Sequence, residues 1–190
     1  MHYVAAHLKA LADDGAFSSA PAQSLEALLG PFLQTHSSGS PNAVAVRFAP
    51  SLTKIKASPK QITKLFELLT ASLTAAADKD TPLTVEAGSG ADAEGAPLVK
   101  IQFRDEGPDW TPEQRARLFA PFTRQATDRF GLDLVTGFFI VHHHGGRISL
   151  PGQSKLRVVI ELPVDPLAAG PDELDGNQLS DLFRQDLGFA

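Results

Sequence analysis

The sequence predicts an α+β fold, a two-layer sandwich with helices on one face of a mixed, mostly antiparallel sheet. Short apolar stretches typical of strands stand on both sides of long helical segments, and strand pairs late in the chain follow one another closely, as antiparallel hairpins do. With 190 residues, 43% of them hydrophobic, the chain can bury a substantial core. We expect an N-terminal helical segment (1–42), a compact domain (43–164) and an acidic, helical C-terminal tail (165–190).

Helices are expected in the N-terminal segment. Residues 3–12 place apolar side chains at helical spacing before Asp13-Asp14-Gly15 ends the pattern. A second helix is predicted to open between Ser19 and Pro21, because serine caps helices and proline suits their first turn. Pro31 should kink or shorten this helix because it has no N–H to donate. The apolar residues of the second helix are Leu25, Leu28, Leu29, Phe32 and Leu33.

The compact domain is predicted to begin with short strands at 43–48 and 52–57. Ser58-Pro59 then opens a long amphipathic helix that runs to about Ala77. Strands follow at 83–87 and 98–103, and the glycine-rich stretch between them, Gly88 to Gly95, is predicted to be a long hairpin loop.

The second half of the domain predicts two more helices and a closing hairpin. One helix starts at Thr111-Pro112-Glu113 and another runs from Leu132 to His144, followed by strands at 147–150 and 156–162. The tail carries its leucines at spacings of three to five residues in an acidic setting. It is either a helix docked on its own domain or a partner-binding or dimerising helix.

Composition excludes several classes of protein. Zero cysteines rule out disulfides and cysteine-based zinc sites, and the formal charge of −5 argues against nonspecific binding to nucleic acid or to an anionic membrane. No apolar run approaches the roughly 20 residues needed to span a bilayer, and the N-terminus does not have the pattern of a signal peptide. We therefore expect a cytoplasmic protein with no nucleic-acid or membrane partner.

Motifs in a fixed order carry the functional information. The helical stretch 64–72 is followed by Asp-Glu-Gly-Pro-Asp at 105–109 and by Leu-Phe-Ala-Pro-Phe at 118–122; the last motif, 131–146, ends in His-Gly-Gly. In this order they resemble the asparagine box, first glycine box, phenylalanine box and second glycine box of histidine kinase-type ATP-binding domains. These domains belong to the wider ATPase superfamily that includes gyrase and the large heat-shock chaperones. The resemblance extends over residues from about 22 to 163.

The resemblance implies the adenine side of a nucleotide site. Asp105 stands where the family has the carboxylate that accepts a hydrogen bond from the adenine amino group, and Gly107 preserves the turn beside it. Arg124 lies in a short ATP lid at a position where kinases often carry a basic residue, and Gly131 is the first glycine of the second glycine box. The other interpretation of Asp105 is a residue that ends a strand and caps the next turn. The sequence therefore leaves undecided whether ATP or ADP binds on the adenine side.

On the phosphate side, which we define as Ala71, Thr74, Asp109 and Asp133, the chain departs from the family pattern. Ala71 replaces the asparagine that coordinates magnesium, and an alanine methyl cannot ligate a hard cation. Thr74 replaces a basic residue, and Asp109 and Asp133 replace glycines. A glycine at position 133 lets backbone N–H groups approach a phosphate, whereas a carboxylate about 4 Å from it repels it by about 4 kcal/mol near a protein surface. We expect magnesium and triphosphate binding to be weakened or lost.

Asp133 has a structural interpretation. Near the start of a helix over 132–144 it could accept the unpaired N–H groups of the first turn, so that its carboxylate stands in for the missing phosphate.

Glu67 is the candidate catalytic residue, since gyrase-like relatives keep a glutamate there that activates water. The alternative is a solvated glutamate on a helix face. His142-His143-His144 does not predict a metal site, because neighbours on a helix point about 100° apart.

The leading functional hypothesis is a noncatalytic or vestigial kinase-like module of two-component signalling that acts through protein contacts. The pattern of a phosphoacceptor hairpin, a histidine followed by acidic and proline residues, is not found in the sequence. The alternatives are a nucleotide-binding ATPase or kinase-like enzyme that uses Asp105 and Glu67, and a histidine phosphotransfer protein that uses His7. Expected partners are a response regulator or kinase, or a second copy bound through the N-terminal helices or the tail.

Overall fold

The computed structural model describes residues 21–36, 44–76, 83–105, 107, 109, 111, 129–151 and 157–166. Several predictions lie outside the described residues. They concern the helix over 3–12 with His7, the helix that Thr111 is predicted to open, beyond residue 111, the lid residue Arg124, and the tail beyond residue 166. In chain order the elements are α1 (Leu25–Leu28), α2 (Gly30–Thr35), β1 (Val44–Phe48), α3 (Pro59–Ala76), β2 (Leu83–Ala91), β3 (Pro97–Asp105), α4 (Arg129–His143), β4 (Arg147–Ser149) and β5 (Arg157–Pro163).

The strands form one sheet in the order β1-β2-β3-β5-β4. Strand β1 is parallel to β2, and the β2-β3, β3-β5 and β4-β5 pairs are antiparallel. The parallel pair is connected through helix α3, as the crossover between parallel strands requires. This arrangement confirms the predicted α+β fold with a mixed, mostly antiparallel sheet.

The hydrophobic core lies between one face of the sheet and the helices. Alternate residues of each strand point to this face, so that strand apolar residues meet the apolar stripe of α3. Phe66 of α3 packs against Phe103 of β3 with ring centroids 5.2 Å apart. Burying one such side chain stabilises the fold by about 1.5–3 kcal/mol. The strand residues of the core are Val44, Leu83, Val85, Ala87, Val99, Ile101, Phe103, Ile148, Val158, Ile160 and Leu162.

Residues 21–36 pack into this same core through Leu25, Leu28, Leu29 and Phe32. The predicted helix start between Ser19 and Pro21 is wrong: α1 begins at Leu25, where the Ser24 side chain accepts the N–H of Ala27 at 3.2 Å. The prediction for Pro31 is confirmed. The helical segment divides after Leu28, and α2 starts at Gly30 with the proline in its first turn.

Two sequence predictions between the long elements were wrong. Residues 52–57 do not form a strand of the sheet, because Ile55 makes an isolated antiparallel bridge with Gln23 and the next N–H donates to the carbonyl of Val164. Nor is the stretch 88–95 a long loop. Strand β2 continues to Ala91, and the Asp92 side chain closes a short turn by accepting two backbone N–H groups, at 2.9 and 2.7 Å.

Within the described part of the chain, no helix combines the length and the apolar character needed to cross a membrane.

Candidate functional site

Helices α3 and α4 lie antiparallel. Helix α3 carries the asparagine-box residues, and α4 carries residues of the second glycine box. At one end, Ser58, just before α3, meets His144, just after α4. In the middle, a Cβ added at Gly137 would lie 3.2 Å from Cδ1 of Leu65, so this glycine allows the helices to approach closely. Further along α3, Ser72 meets Asp133. From the first of these contacts to the third, the residue numbers increase in α3 and decrease in α4. The three contacts therefore define the antiparallel register of the pair.

The contact between Ser72 and Asp133 is a buried, charge-assisted hydrogen bond. The Ser72 hydroxyl donates to Oδ2 of Asp133 at 2.7 Å, and both residues are only 5% exposed. Such bonds to a carboxylate are shorter and stronger than those between neutral groups. The capping role predicted for Asp133 is wrong, because α4 begins at Arg129 rather than Leu132 and has no acidic residue in its first turn. Oδ2 of the carboxylate faces α3.

His144 connects the helices at the other end. It is 2% exposed, its Nδ1 lies 2.8 Å from the carbonyl oxygen of Ile140, and its Nε2 lies 3.2 Å from the backbone nitrogen of Ser58. Because a carbonyl only accepts and a backbone N–H only donates, the ring is neutral with its hydrogen on Nδ1. The Ser58 hydroxyl in turn accepts the N–H of Gln61 at 3.3 Å and caps α3.

The neighbouring histidines make different contacts, and the ring of His143 stands edge-on to that of His144 with centroids 6.0 Å apart. His142 stacks on Phe138 with ring centroids 6.0 Å apart, and His143 is exposed.

The glycines after α4 are required by the backbone. Gly145 has φ 65°, and its N–H donates to the carbonyl of His142 while the N–H of Gly146 donates to that of Val141. This pair of bonds is a Schellman motif, which ends a helix with glycine in the left-handed conformation. A Cβ at Gly146 would lie 2.4 Å from the carbonyl oxygen of Glu161, so the second glycine lets α4 pass directly into the sheet.

The other asparagine-box residues lie along α3. Ala71 is exposed, and Thr74 is half-buried with a buried hydroxyl oxygen that makes no hydrogen bond. Glu67 is exposed, and its Oε2 lies 3.7 Å from Nζ of Lys64. An exposed ion pair of this kind is worth little, about 0–1 kcal/mol.

The first glycine box follows β3. Asp105 is the last residue of that strand, paired in register with Leu83. Gly107 is half-buried and Asp109 is exposed. Gly131, the first glycine of the second glycine box, is the third residue of α4. The motif residues that the structure describes therefore lie on α3 and α4, at the end of β3 and in the residues that directly follow β3 and α4.

The sequence motifs do not identify Ser72 as a site residue. Its position matches the final alanine of the N-L-L-x-N-A pattern, so the chain replaces alanine by serine on α3 and glycine by aspartate on α4. These two changes meet in one hydrogen bond. A serine in place of a small apolar residue is a signal of such a role in the sequence. Its hydrogen-bond partner, Asp133, however, is 61 residues away along the chain.

The fold and the order of its motifs define an ATPase-type α+β sandwich. The sequence model of the histidine kinase-, DNA gyrase B- and HSP90-like ATPase family matches residues 60–166. The chain belongs to this family.

Among individual proteins, the chain is similar to the sensor histidine kinase ZraS of Klebsiella oxytoca, with 30% identity over 131 residues. This match covers 65% of the chain but only 27% of the relative. The histidine kinase domain of the E. coli osmosensor EnvZ is 26% identical with a TM-score of 0.54, over 75% of this chain and 87% of that domain. Full-length ShkA in complex with AMPPNP is 23% identical with a TM-score of 0.56, over 83% and 34% of the two chains. The likeness to ShkA shows the fold alone.

Proposed function

We propose that this chain is a noncatalytic histidine kinase-like signalling module that works in the cytoplasm through protein contacts, with magnesium and triphosphate binding weakened or lost. The Ser72–Asp133 hydrogen bond is the observation that carries this proposal. It supports the view that a carboxylate and its donor occupy the space that the family pattern leaves to small residues and to phosphate.

The charge of Asp133 opposes phosphate binding. Its carboxylate is buried and is held by a hydroxyl 2.7 Å away, and a phosphate oxygen within about 4 Å of it would be repelled by about 4 kcal/mol. A free-energy penalty of about 4 kcal/mol lowers the affinity almost a thousandfold. Turning the carboxylate away would break the bond to Ser72 and would leave a buried hydroxyl without that acceptor, which costs further free energy.

Helix α3 has no magnesium ligand at position 71. Magnesium binds through oxygen ligands in octahedral geometry, and the Ala71 methyl offers none. Glu67, one turn earlier, is exposed beside Lys64. A general base must lie within hydrogen-bond reach of a positioned water, whereas the neighbour that the structure gives the exposed Glu67 carboxylate is the Lys64 ammonium, 3.7 Å away. The same residues therefore support the noncatalytic module over the enzyme that would use Asp105 and Glu67.

The signalling role rests on the family. Two of the named relatives are a sensor histidine kinase and the histidine kinase domain of an osmosensor, so a response regulator or a kinase is the partner class that we propose. A module without catalysis would act by occupying such a partner's docking surface.

A reversal experiment tests the proposal. Isothermal titration with ATP and magnesium would be performed on the wild-type chain and on the triple variant Ala71→Asn, Ser72→Ala, Asp133→Gly, which restores the family residues at these three positions. Replacing the exposed Lys60 of α3 by alanine gives the matched control. We expect magnesium-dependent heat from the triple variant alone. Magnesium-dependent binding by the wild type would refute the proposal, and a folded but silent triple variant would show that the loss lies elsewhere.

A further inference from the structure

The face of the sheet opposite the helices carries apolar residues that are buried. Leu98 of β3 is 8% exposed and Val159 of β5 is 4% exposed, yet neither belongs to the hydrophobic core cluster. Their strand neighbours Val99 and Val158 point to the core, so Leu98 and Val159 point to the other side. The helices of the described part of the chain pack on the core side and cannot cover them. We call this opposite side of the sheet the outer face.

The outer face has a basic excess. Glu86 lies near two arginines, with nearest N–O distances of 3.7 and 3.6 Å, and Glu161 lies 3.1 Å from Lys100. The remaining basic residues stand in register with these on neighbouring strands. Among the described strand residues of this face, two are acidic, Glu86 and Glu161, and five are basic: Arg47, Lys100, Arg104, Arg147 and Arg157. A covering segment of net negative charge is favoured here.

We propose that the C-terminal segment 167–190 of the same chain covers the outer face. Its sequence holds five acidic residues and one basic residue: Asp172, Glu173, Asp175, Asp181, Asp186 and Arg184. On a helix, Leu179, Leu182, Phe183 and Leu187 would share one side. The segment therefore combines an apolar side for Leu98 and Val159 with charges that complement the basic residues around them.

The distances fit. Leu98 pairs with Pro163 and Val159 pairs with Gln102, so the two apolar residues lie four positions apart along the strands, about 13 Å. Leu179 to Leu187 on a helix spans about 12 Å.

The chain also leaves the sheet in the right place. The N–H of Val164 donates to the carbonyl of Pro97 at 3.1 Å, next to Leu98, and Pro166 is buried. The segment thus begins beside one end of the surface that it would cover.

Paramagnetic relaxation tests the proposal on the full chain, which has no cysteine of its own and so allows single-site spin labelling. Ala45→Cys and Ser149→Cys place labels on the rim of the outer face, at an exposed and a half-buried position. Lys60→Cys, exposed on α3, is the matched control. We expect the amide signals of residues 174–187 to lose most of their intensity with either rim label and to keep it with the control label. Equal intensities for all three labels would overturn the proposal.

Two further variants test whether the apolar side of the tail holds it on the outer face. Leu182→Asp with Phe183→Asp removes the apolar side, whereas Gln185→Asp adds charge outside it. We expect the first to restore the tail signals beside the rim labels and the second to leave them weak. Mixing isotope-labelled chain with spin-labelled chain must give no loss of intensity. A loss in that mixture would assign the surface to a second copy and would overturn the proposal.

Discussion

The Ser72–Asp133 hydrogen bond should appear as a coupling energy in a double-mutant cycle. Hydrogen bonds that involve a charged group contribute about 1.5–3 kcal/mol, and this one joins two residues that are each 5% exposed. Ser72→Ala removes one donor of a buried carboxylate. Asp133→Ala is expected to cost less, because the remaining serine can donate to the carbonyl of Leu68 in its own helix. The helix propensity gained with alanine cancels in the cycle.

Urea unfolding of the wild type, the two single variants and the double variant measures the coupling. With an m-value of about 2 kcal/mol/M, a loss of 2 kcal/mol moves the midpoint by about 1 M. We expect a coupling of about 1.5–3 kcal/mol. The exposed pair Lys64 and Glu67 is the matched control, with an expected coupling below about 0.5 kcal/mol. If Ser72 and Asp133 prove additive within about 0.5 kcal/mol, the account of the bond is wrong.

Two further predictions concern the turn after α4, and the same unfolding assay measures both. Gly146→Ala should lower the free energy of unfolding by about 2–3 kcal/mol, because the new Cβ meets a backbone carbonyl oxygen at 2.4 Å. Gly88→Ala, where a Cβ meets nothing within 4 Å, should change it by less than about 0.5 kcal/mol, and equal effects would contradict the argument. His144→Ala should cost about 2–3 kcal/mol because it leaves the buried Ser58 N–H without its acceptor. The exposed His143→Ala should be nearly neutral, and a neutral His144→Ala would show that His144 does not connect the helices.

Much of the fold could be predicted from local signals. The bounds of α3 were predicted to within a residue, since Ser58 and Pro59 form an N-terminal capping pair and an amphipathic stripe continues to Ala76. The turn at 92–96 could not be placed, because glycines in 88–91 favour a loop. Pairing with β3 holds them in a strand, and Gly90 leaves room for Leu98.

The candidate site could be predicted only in part. The motif order located Ala71 and Asp133 as departures from the family pattern. The role of Asp133 could not be derived locally, because it depends on where α4 begins and on a hydroxyl of another helix. An aspartate near the predicted start of a helix suggests an N-terminal cap. The antiparallel register of α3 and α4 instead brings Asp133 to Ser72.

The most direct measurement of the central claim is calorimetric titration of the wild-type chain with ATP in the presence and absence of magnesium. The account predicts no magnesium-dependent heat, and no magnesium-dependent gain in thermal stability at millimolar nucleotide. A ligand at 100 times its dissociation constant would stabilise the folded state by about 2.7 kcal/mol, so real binding could not be overlooked. Tight, magnesium-dependent ATP binding would contradict the claim that Asp133 and Ala71 have disabled the phosphate side.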